Sequence, residues 1–339
     1  MSQVAVIGAG SWGTTAAAIL ATNADTILWA RSADVVREID TTHLNSRYLP
    51  GIPLVASLQA TSSLVEAVAD ADLVVLAVPS HGMREVLSEA TNAIKEDAAL
   101  LSLSKGVEQT TLLRMTEVIA EVIPGHDRSR IGVLTGPNLA HEVAAGQPTA
   151  SVVAFAHIAT AQRAQTSFTT PTFRVYTNAD VVGCEIAGAL KNVIAIAVGM
   201  AHGLGYGDNA KAALITRGLA ELSRLGAALG GDPQTFAGLA GMGDLIATCS
   251  SPQSRNRSVG VALGQGRAIG DIIAEMNMVA EGVKTTGAVL ALAARHGIEM
   301  PVAGVVGRVL NEGAKPANLV ADLMGRAPKS ENVGSTQHE

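Results

Sequence analysis

The sequence predicts an α/β protein in which a doubly wound parallel sheet over residues 1–180 is followed by an all-helical domain over residues 181–326. Three observations predict it. A β-branched apolar run, Val4 to Ile7, breaks into a glycine-spaced turn and then an alanine-rich helical pattern. Further runs of strand length, Leu73 to Pro79, Ala98 to Leu103 and Ile131 to Leu134, each end in a polar loop. From about residue 181 such runs stop, and apolar residues recur at helical spacing, as at Leu190, Val193, Ile194, Ala197 and Ala201.

The first strand leads into Gly8-Ala9-Gly10-Ser11-Trp12-Gly13. In this pattern Gly8 makes the tight turn, Gly10 lets backbone approach a pyrophosphate, and Gly13 lets helix pack closely on strand. The helix N-terminus presents unpaired N–H groups and the positive end of its dipole. The strand before and the helix after, Thr14 to Leu20, favour dinucleotide binding over an empty glycine-rich turn and make the sheet Rossmann-type. The second strand, Thr26 to Arg31, ends where the adenine ribose is read, about 20 residues past the glycines. An acid there would bind the 2′-hydroxyl of NAD, whereas the Arg31 guanidinium suits the 2′-phosphate of NADP. NADP is favoured. NAD stays open because Asp34 lies close enough to serve the ribose, and the bland alternative is a solvated Arg31 that touches neither.

In open α/β sheets the ligand lies outside the carboxyl ends of the strands. The loops Pro79-Ser80-His81, Ser104-Lys105-Gly106 and Thr135-Gly136-Pro137-Asn138 should therefore line one crevice. Ser151 to Phe155 and Phe173 to Tyr176 read as extra strands closing the first domain.

In the helical half, Lys191 is set among Ile186, Leu190, Val193 and Ile194. Burial favours the neutral amine, and an amine pushed that way can take a proton from an alcohol or return it to a forming alkoxide. The alternative is a lysine whose stem packs while its head reaches water. Asp244 and Thr248, four apart, share a helix face and could hold Lys191 or a substrate hydroxyl; equally, Asp244 could cap its helix. Further on, Ser251 reads as an N-cap with Pro252 at the first helical position, which puts Ser254, Arg255 and Asn256 in the first turn. A helix start with an arginine fork suits a phosphate monoester, with Lys105 as a second cation; the alternative is a solvated basic turn. Residues 327–339 are polar and unpatterned and predict a disordered tail.

Composition narrows the function classes. With 339 residues, 48% hydrophobic and 16% charged, the chain is globular and long enough for about two domains. A net charge of −6 and only 3% aromatic residues argue against nucleic acid as a partner. None of the eight histidines falls in HxH or HExxH spacing, and Cys184 and Cys249 form no CxxC pair, so no metal site is expected. The two cysteines read as buried thiols in a reducing compartment. No signal peptide is expected, and the apolar stretches are broken by Lys, Glu, Pro or Gly, so the expectation is a cytoplasmic protein without a membrane span. A GxSxG elbow and a lysine-bearing phosphate loop are both absent.

The ordered motifs GAGSWG at 8–13, HLNSRYLPG at 43–51, SKG at 104–106, GPNLA at 136–140, LKN at 190–192, GMGDL at 241–245, SRNR at 254–257 and VAEGVKT at 279–285 run through nearly the whole chain. Through them the sequence closely resembles the bacterial-type NAD(P)-dependent glycerol-3-phosphate dehydrogenases. The resemblance implies a Rossmann domain followed by a helical domain related to that of 6-phosphogluconate dehydrogenase. It also implies reversible reduction of dihydroxyacetone phosphate to sn-glycerol 3-phosphate by direct hydride transfer, feeding glycerophospholipid synthesis. It implies Lys191 as proton acceptor in alcohol oxidation, with Lys105, Gly136, Asn138, Asp244, Ser254, Arg255 and Asn256 around the substrate. The dinucleotide would meet Ser11, Trp12, Arg31, Tyr48, Lys105, Ala140, Arg255, Val279 and Glu281, beside Gly8, Gly10 and Gly13. A homodimer is compatible with the apolar helical domain. Two rivals stand beside this reading: a ketopantoate or hydroxyacid reductase of the same plan, with a carboxylate as the ligand of Arg255, and a non-catalytic NADPH sensor, in which the lysine or the phosphate cluster would have been lost.

Overall fold

A computed structural model describes residues 2–276, 280–325 and 327. Eight strands form one sheet: β1 (Gln3–Ile7), β2 (Asp25–Trp29), β3 (Gln59–Thr61), β4 (Leu73–Leu76), β5 (Ala99–Ser102), β6 (Ile131–Thr135), β7 (Thr149–Ala154) and β8 (Phe173–Asn178). Their order is β3-β2-β1-β4-β5-β6-β7-β8, and every neighbouring pair is parallel except the antiparallel β6–β7. The order reverses between β1 and β4, where Ile7 sits opposite Leu76, so a crevice opens past their carboxyl ends.

Alternate residues of the central strands feed opposite cores. Val4, Val6, Leu73, Val75 and Leu101 join one cluster, while Ala5, Ile7, Val74, Leu76 and Leu100 join the other. A strand covered on both faces reads as an unbroken apolar run, which is why β4 was legible. The sequence reading did not foresee β3. Its three residues, Gln59-Ala60-Thr61, carry no apolar run and form an edge strand only by pairing with β2. At the other edge, β8 turns Phe173 and Val175 inward while the exposed Arg174 stacks on Tyr176 at 5.1 Å.

The helices used below are α1 (Ser11–Leu20), α2 (Ala33–Thr42), α3 (Val181–Gly203), α4 (Asp208–Ala228), α5 (Asp244–Ser250), α6 (Arg255–Gly264), α7 (Glu281–Arg295) and α8 (Pro301–Glu312). α3 is buried from Gly183 to Ala201 and is the axis of the helical half; Asp180 caps it by accepting from the Gly183 N–H at 2.7 Å. Among the described residues it is the one helix long and apolar enough to cross a bilayer, with mean hydropathy 1.8, yet 89% of that window is buried inside the fold. On α4, the buried carboxylate of Glu221 accepts from the Val302 and Ala303 N–H groups at 2.6 and 3.1 Å, answering the unpaired donors at the buried start of α8. Both cysteines are buried, and burial pushes the Cys249 thiol up to about 12.

α3 and α6 meet along facing glycines. A Cβ on Gly199 would lie 2.2 Å from the Arg257 carbonyl oxygen, and one on Gly260 would lie 2.1 Å from that of Ile196. Gly203 and Gly264 repeat the contact one turn on, with a Cβ 2.2 Å from the Val261 oxygen and 2.3 Å from the Met200 oxygen. The two backbones touch, and no side chain fits between them.

α6 starts three residues later than the sequence reading has it. Ser251 closes α5, its N–H bonded to the Ala247 oxygen at 3.1 Å, and although its Oγ accepts from the Gln253 N–H at 3.1 Å, the turn it starts does not continue as a helix. Ser254 is the N-cap instead and accepts from the Arg257 N–H at 3.3 Å.

Candidate active site

The dinucleotide turn has the shape its glycines demand. Gly8 adopts φ +117°, a region that disfavours side chains, and a Cβ there would lie 2.9 Å from the Ala77 oxygen. A Cβ on Gly13 would lie 1.9 Å from the Gly8 oxygen, whereas one on Gly10 would meet nothing within 4 Å. The turn is therefore closed behind and open in front, at the N-terminus of α1, where a pyrophosphate fits. Asn45, fully buried, ties this turn to the loop after α2 by donating to the Ala9 oxygen at 3.0 Å and to Thr14 Oγ1 at 2.8 Å. Ser11 Oγ donates to the Tyr48 carbonyl at 2.5 Å, and Arg47 lies over the Tyr48 ring at 5.2 Å. The Trp12 indole, in the first turn of α1, packs on Phe173 with ring centroids 6.2 Å apart.

The remaining dinucleotide candidates lie on other elements. Arg31 is exposed just past β2, while Asp34 pairs with Arg37 at 3.2 Å on the outer face of α2. Ala140 begins a short helix, and its oxygen accepts from Thr15 Oγ1 at 3.3 Å. Glu281, the first residue of α7, accepts from Ser80 Oγ at 2.9 Å in the loop after β4 and also attracts Arg255. Val279 lies outside the described residues, as does the predicted tail apart from residue 327.

The catalytic candidates converge on one carboxylate. Lys191 is 5% exposed and does not reach water; its Nζ donates to Asp244 Oδ1 and to Thr248 Oγ1, both at 2.5 Å. Asp244, 1% exposed, makes no cap bond: a π turn, Leu239–Gly243, runs directly into α5, and the carboxylate faces inward. Asp244 Oδ2 accepts from Lys105 Nζ at 2.8 Å and from Thr135 Oγ1 at 3.3 Å. Lys105 also donates to Asn138 Oδ1 at 2.8 Å and to the Gly136 carbonyl at 3.2 Å. Burial pushes Asp244 up, but the two ammonium groups outweigh it and leave its pKa below the ordinary value. Burial pulls Lys105 down to about 8, and the neighbouring Lys191 adds to this against the attraction of Asp244. Two cations share one anion here, so the cluster carries a positive charge that only an added anion or a developing alkoxide can answer.

The start of α6 lies next to this cluster. Ser254 Oγ accepts the cap bond, and its O–H remains a donor. The Asn256 carboxamide is also engaged: Nδ2 donates to Asn192 Oδ1 and Oδ1 accepts from the Gly282 N–H, each at 2.9 Å. Asn256 is thereby held in place with its backbone N–H and the second hydrogen of Nδ2 left to offer an anion. Arg255 is exposed at the first helical position and makes no ion pair within 4 Å among the described residues.

Ser80 and Thr135 lie in loops that the sequence reading set along the crevice, without a role of their own, and Asn192 and Asn45 join the site although the reading gave them none. Thr135 and Asn192 stand beside Gly136 and Lys191, and that adjacency was the available signal.

Residues 3–161 match the model of the NAD-dependent glycerol-3-phosphate dehydrogenase N-terminus, and residues 180–321 match that of its C-terminus. A glycerol-3-phosphate dehydrogenase [NAD(P)+] of Sphingopyxis alaskensis is 58% identical over 301 residues, 89% of this chain and 90% of that one. The chain belongs to this dehydrogenase family. The crystal structure of the glycerol-3-phosphate dehydrogenase of Coxiella burnetii superposes with a TM-score of 0.91 at 37% identity, covering 96% of this chain and 99% of that one. A ketopantoate reductase from Ralstonia eutropha, with a TM-score of 0.57 at 18% identity over 94% of this chain and 99% of that one, shares the fold alone. The dehydrogenase family thus takes precedence over the ketopantoate alternative.

Proposed function

We propose that this chain reversibly reduces dihydroxyacetone phosphate to sn-glycerol 3-phosphate with NADPH in preference to NADH, residues 1–180 holding the dinucleotide and residues 181–326 the substrate. The observation that carries it is the single buried carboxylate of Asp244 shared by Lys191 and Lys105. When bound, the reduced dinucleotide supplies a hydride to the carbonyl carbon. Lys191 gives its proton to the oxygen as charge develops there, and takes one from the alcohol in the reverse direction. Asp244 and Thr248 fix the direction of the Lys191 ammonium, and Lys105 stabilises the same oxygen as a second cation. Arg255 and the N–H groups at the start of α6 hold the phosphate, so binding at that end aligns the reacting carbon. Product of this reaction suits glycerophospholipid synthesis in the cytoplasm.

The test is loss of reduced-nicotinamide absorbance with dihydroxyacetone phosphate, run with NADPH and NADH and beside unphosphorylated dihydroxyacetone and ketopantoate. Phosphate-dependent turnover is expected. Turnover of ketopantoate alone would move the anion from phosphate to carboxylate, and NADPH binding without any reduction would leave a sensor. The NADPH preference rests on Arg31, exposed just past β2. Arg31→Asp is expected to lower kcat/KM for NADPH by about 30-fold, roughly 2 kcal/mol for lost charge-assisted bonds, with little change for NADH. An unchanged NADPH preference would remove Arg31 as the reader of the 2′-phosphate.

A further inference from the structure

We propose that Glu185, Arg114 and Thr116 form a buried clasp that positions Lys105 against the Lys191 helix, making Glu185 a positioning residue for the reaction; this rests on the roles assigned above to Lys105 and Lys191. Glu185 lies on α3, six residues before Lys191 and so roughly 9 Å away along the axis, and is 2% exposed in an otherwise apolar stretch. Its Oε2 accepts from Arg114 Nη1 at 2.8 Å and Thr116 Oγ1 at 2.6 Å, and its Oε1 from the Thr116 N–H at 2.8 Å. Burial pushes the Glu185 carboxyl up, Arg114 and Thr116 work against this, and Glu117, which also pairs with Arg114 at 2.9 Å, is the other charged group facing it. A buried ion pair is weak evidence for stability, because desolvation consumes most of its attraction, so its placement calls for another reason.

That reason lies in the segment between Lys105 and Arg114. Val107 and Arg114 pair antiparallel, and the Glu108 N–H donates to the Leu113 oxygen at 2.9 Å, closing a hairpin. Leu112 in its turn has φ +63°, a conformation that leucine adopts only when its surroundings impose it. Arg84 grips Glu108 through two bonds of 2.9 Å, and Gln109 donates to the Lys284 carbonyl on α7 at 2.7 Å. Lys105 sits two residues before the paired Val107, so fixing Arg114 fixes Lys105. Its own carbonyl accepts from Asn192 Nδ2 at 3.4 Å, beside Lys191. The hairpin is thus anchored to α3 twice, at Asn192 and at Glu185, and the two ammonium groups are held where both reach Asp244.

The test compares Glu185→Gln with Lys105→Met in the full chain, reading KM for dihydroxyacetone phosphate, NADPH affinity, melting temperature and the alkaline limb of kcat/KM. Lys105, faced by Asp244 and Lys191, loses its proton as pH rises through about 8, so the limb is expected there. Lys105→Met should raise KM at least tenfold and remove the limb. Glu185→Gln sets an amide N–H group against Arg114; it should raise KM about tenfold, leave NADPH affinity within twofold, and move the limb upward by at least half a pH unit as Lys105 gains water. Arg114→Met should reproduce both effects, and Arg114→Lys, which keeps a cation for Glu185, should restore part of each. A lower melting temperature with wild-type KM and limb in Glu185→Gln, alongside the expected Lys105→Met result, would overturn the clasp. Wild-type KM and limb in Lys105→Met would overturn the role of Lys105 itself, and the clasp with it. Should Glu185→Gln not fold, Thr116→Val keeps the shape and loses one donor, and the presence or absence of the same limb shift decides.

Discussion

Lys191→Met is expected to lower turnover of dihydroxyacetone phosphate by about 10²- to 10⁴-fold, the span attributable to a positioned general acid, while NADPH affinity stays within about twofold. Methionine keeps the apolar stem that packs in α3 and removes only the ammonium. Asp244 is not left alone by the change, because Lys105 still donates to Oδ2 and Thr135 stands beside it. The fold should therefore survive, and the loss should appear in single-turnover rates measured at saturating NADPH. A loss below tenfold would mean that another group, Lys105 being the nearest, delivers the proton.

Arg255→Ala should separate binding from chemistry. Removing one charged donor set costs about 2 to 3 kcal/mol, so kcat/KM for dihydroxyacetone phosphate is expected to fall roughly 30- to 150-fold. Unphosphorylated dihydroxyacetone should lose less than threefold. The contrast is expected because Arg255 stands exposed at the start of α6, outside the Asp244 cluster, and makes no ion pair among the described residues. Energy gained at that remote group acts on the reacting carbon only when the substrate carries both ends. Equal losses on the two substrates would place Arg255 in the common machinery instead of at the phosphate.

The sequence disclosed what local rules govern. The turn from β1 into α1 was legible because its glycines, its apolar strand and its helical pattern are contiguous, and the sheet's central strands because each is a closed apolar run. The edge strand β3 was not, since Gln59-Ala60-Thr61 becomes a strand only through its neighbour. The start of α6 was misplaced by three residues because two serines both suit a cap and both accept a backbone N–H, and only the chain path after α5 decides which turn continues as a helix. At the site, a lysine in an apolar helix and an aspartate four residues from a threonine announced themselves. Asn45 and Glu185 did not. Their meaning lies in partners 31 to 36 and 69 to 71 residues away, and a polar residue in a sequence carries no sign of which distant donor it will meet.

The glycine contact between α3 and α6 bears on how such a site can change. Where two helices meet through side chains, a trimmed leucine or a new rotamer lets them slide, and a pocket can be lengthened by small steps. Here main chain rests on main chain, so the interval from Lys191 to the first turn of α6 is a backbone dimension. It works as a fixed gauge. A ligand longer by one carbon cannot be admitted by exchanging a residue along this contact, because every exchange there adds atoms; it would require a helix to move, or an anchor drawn from somewhere other than α6.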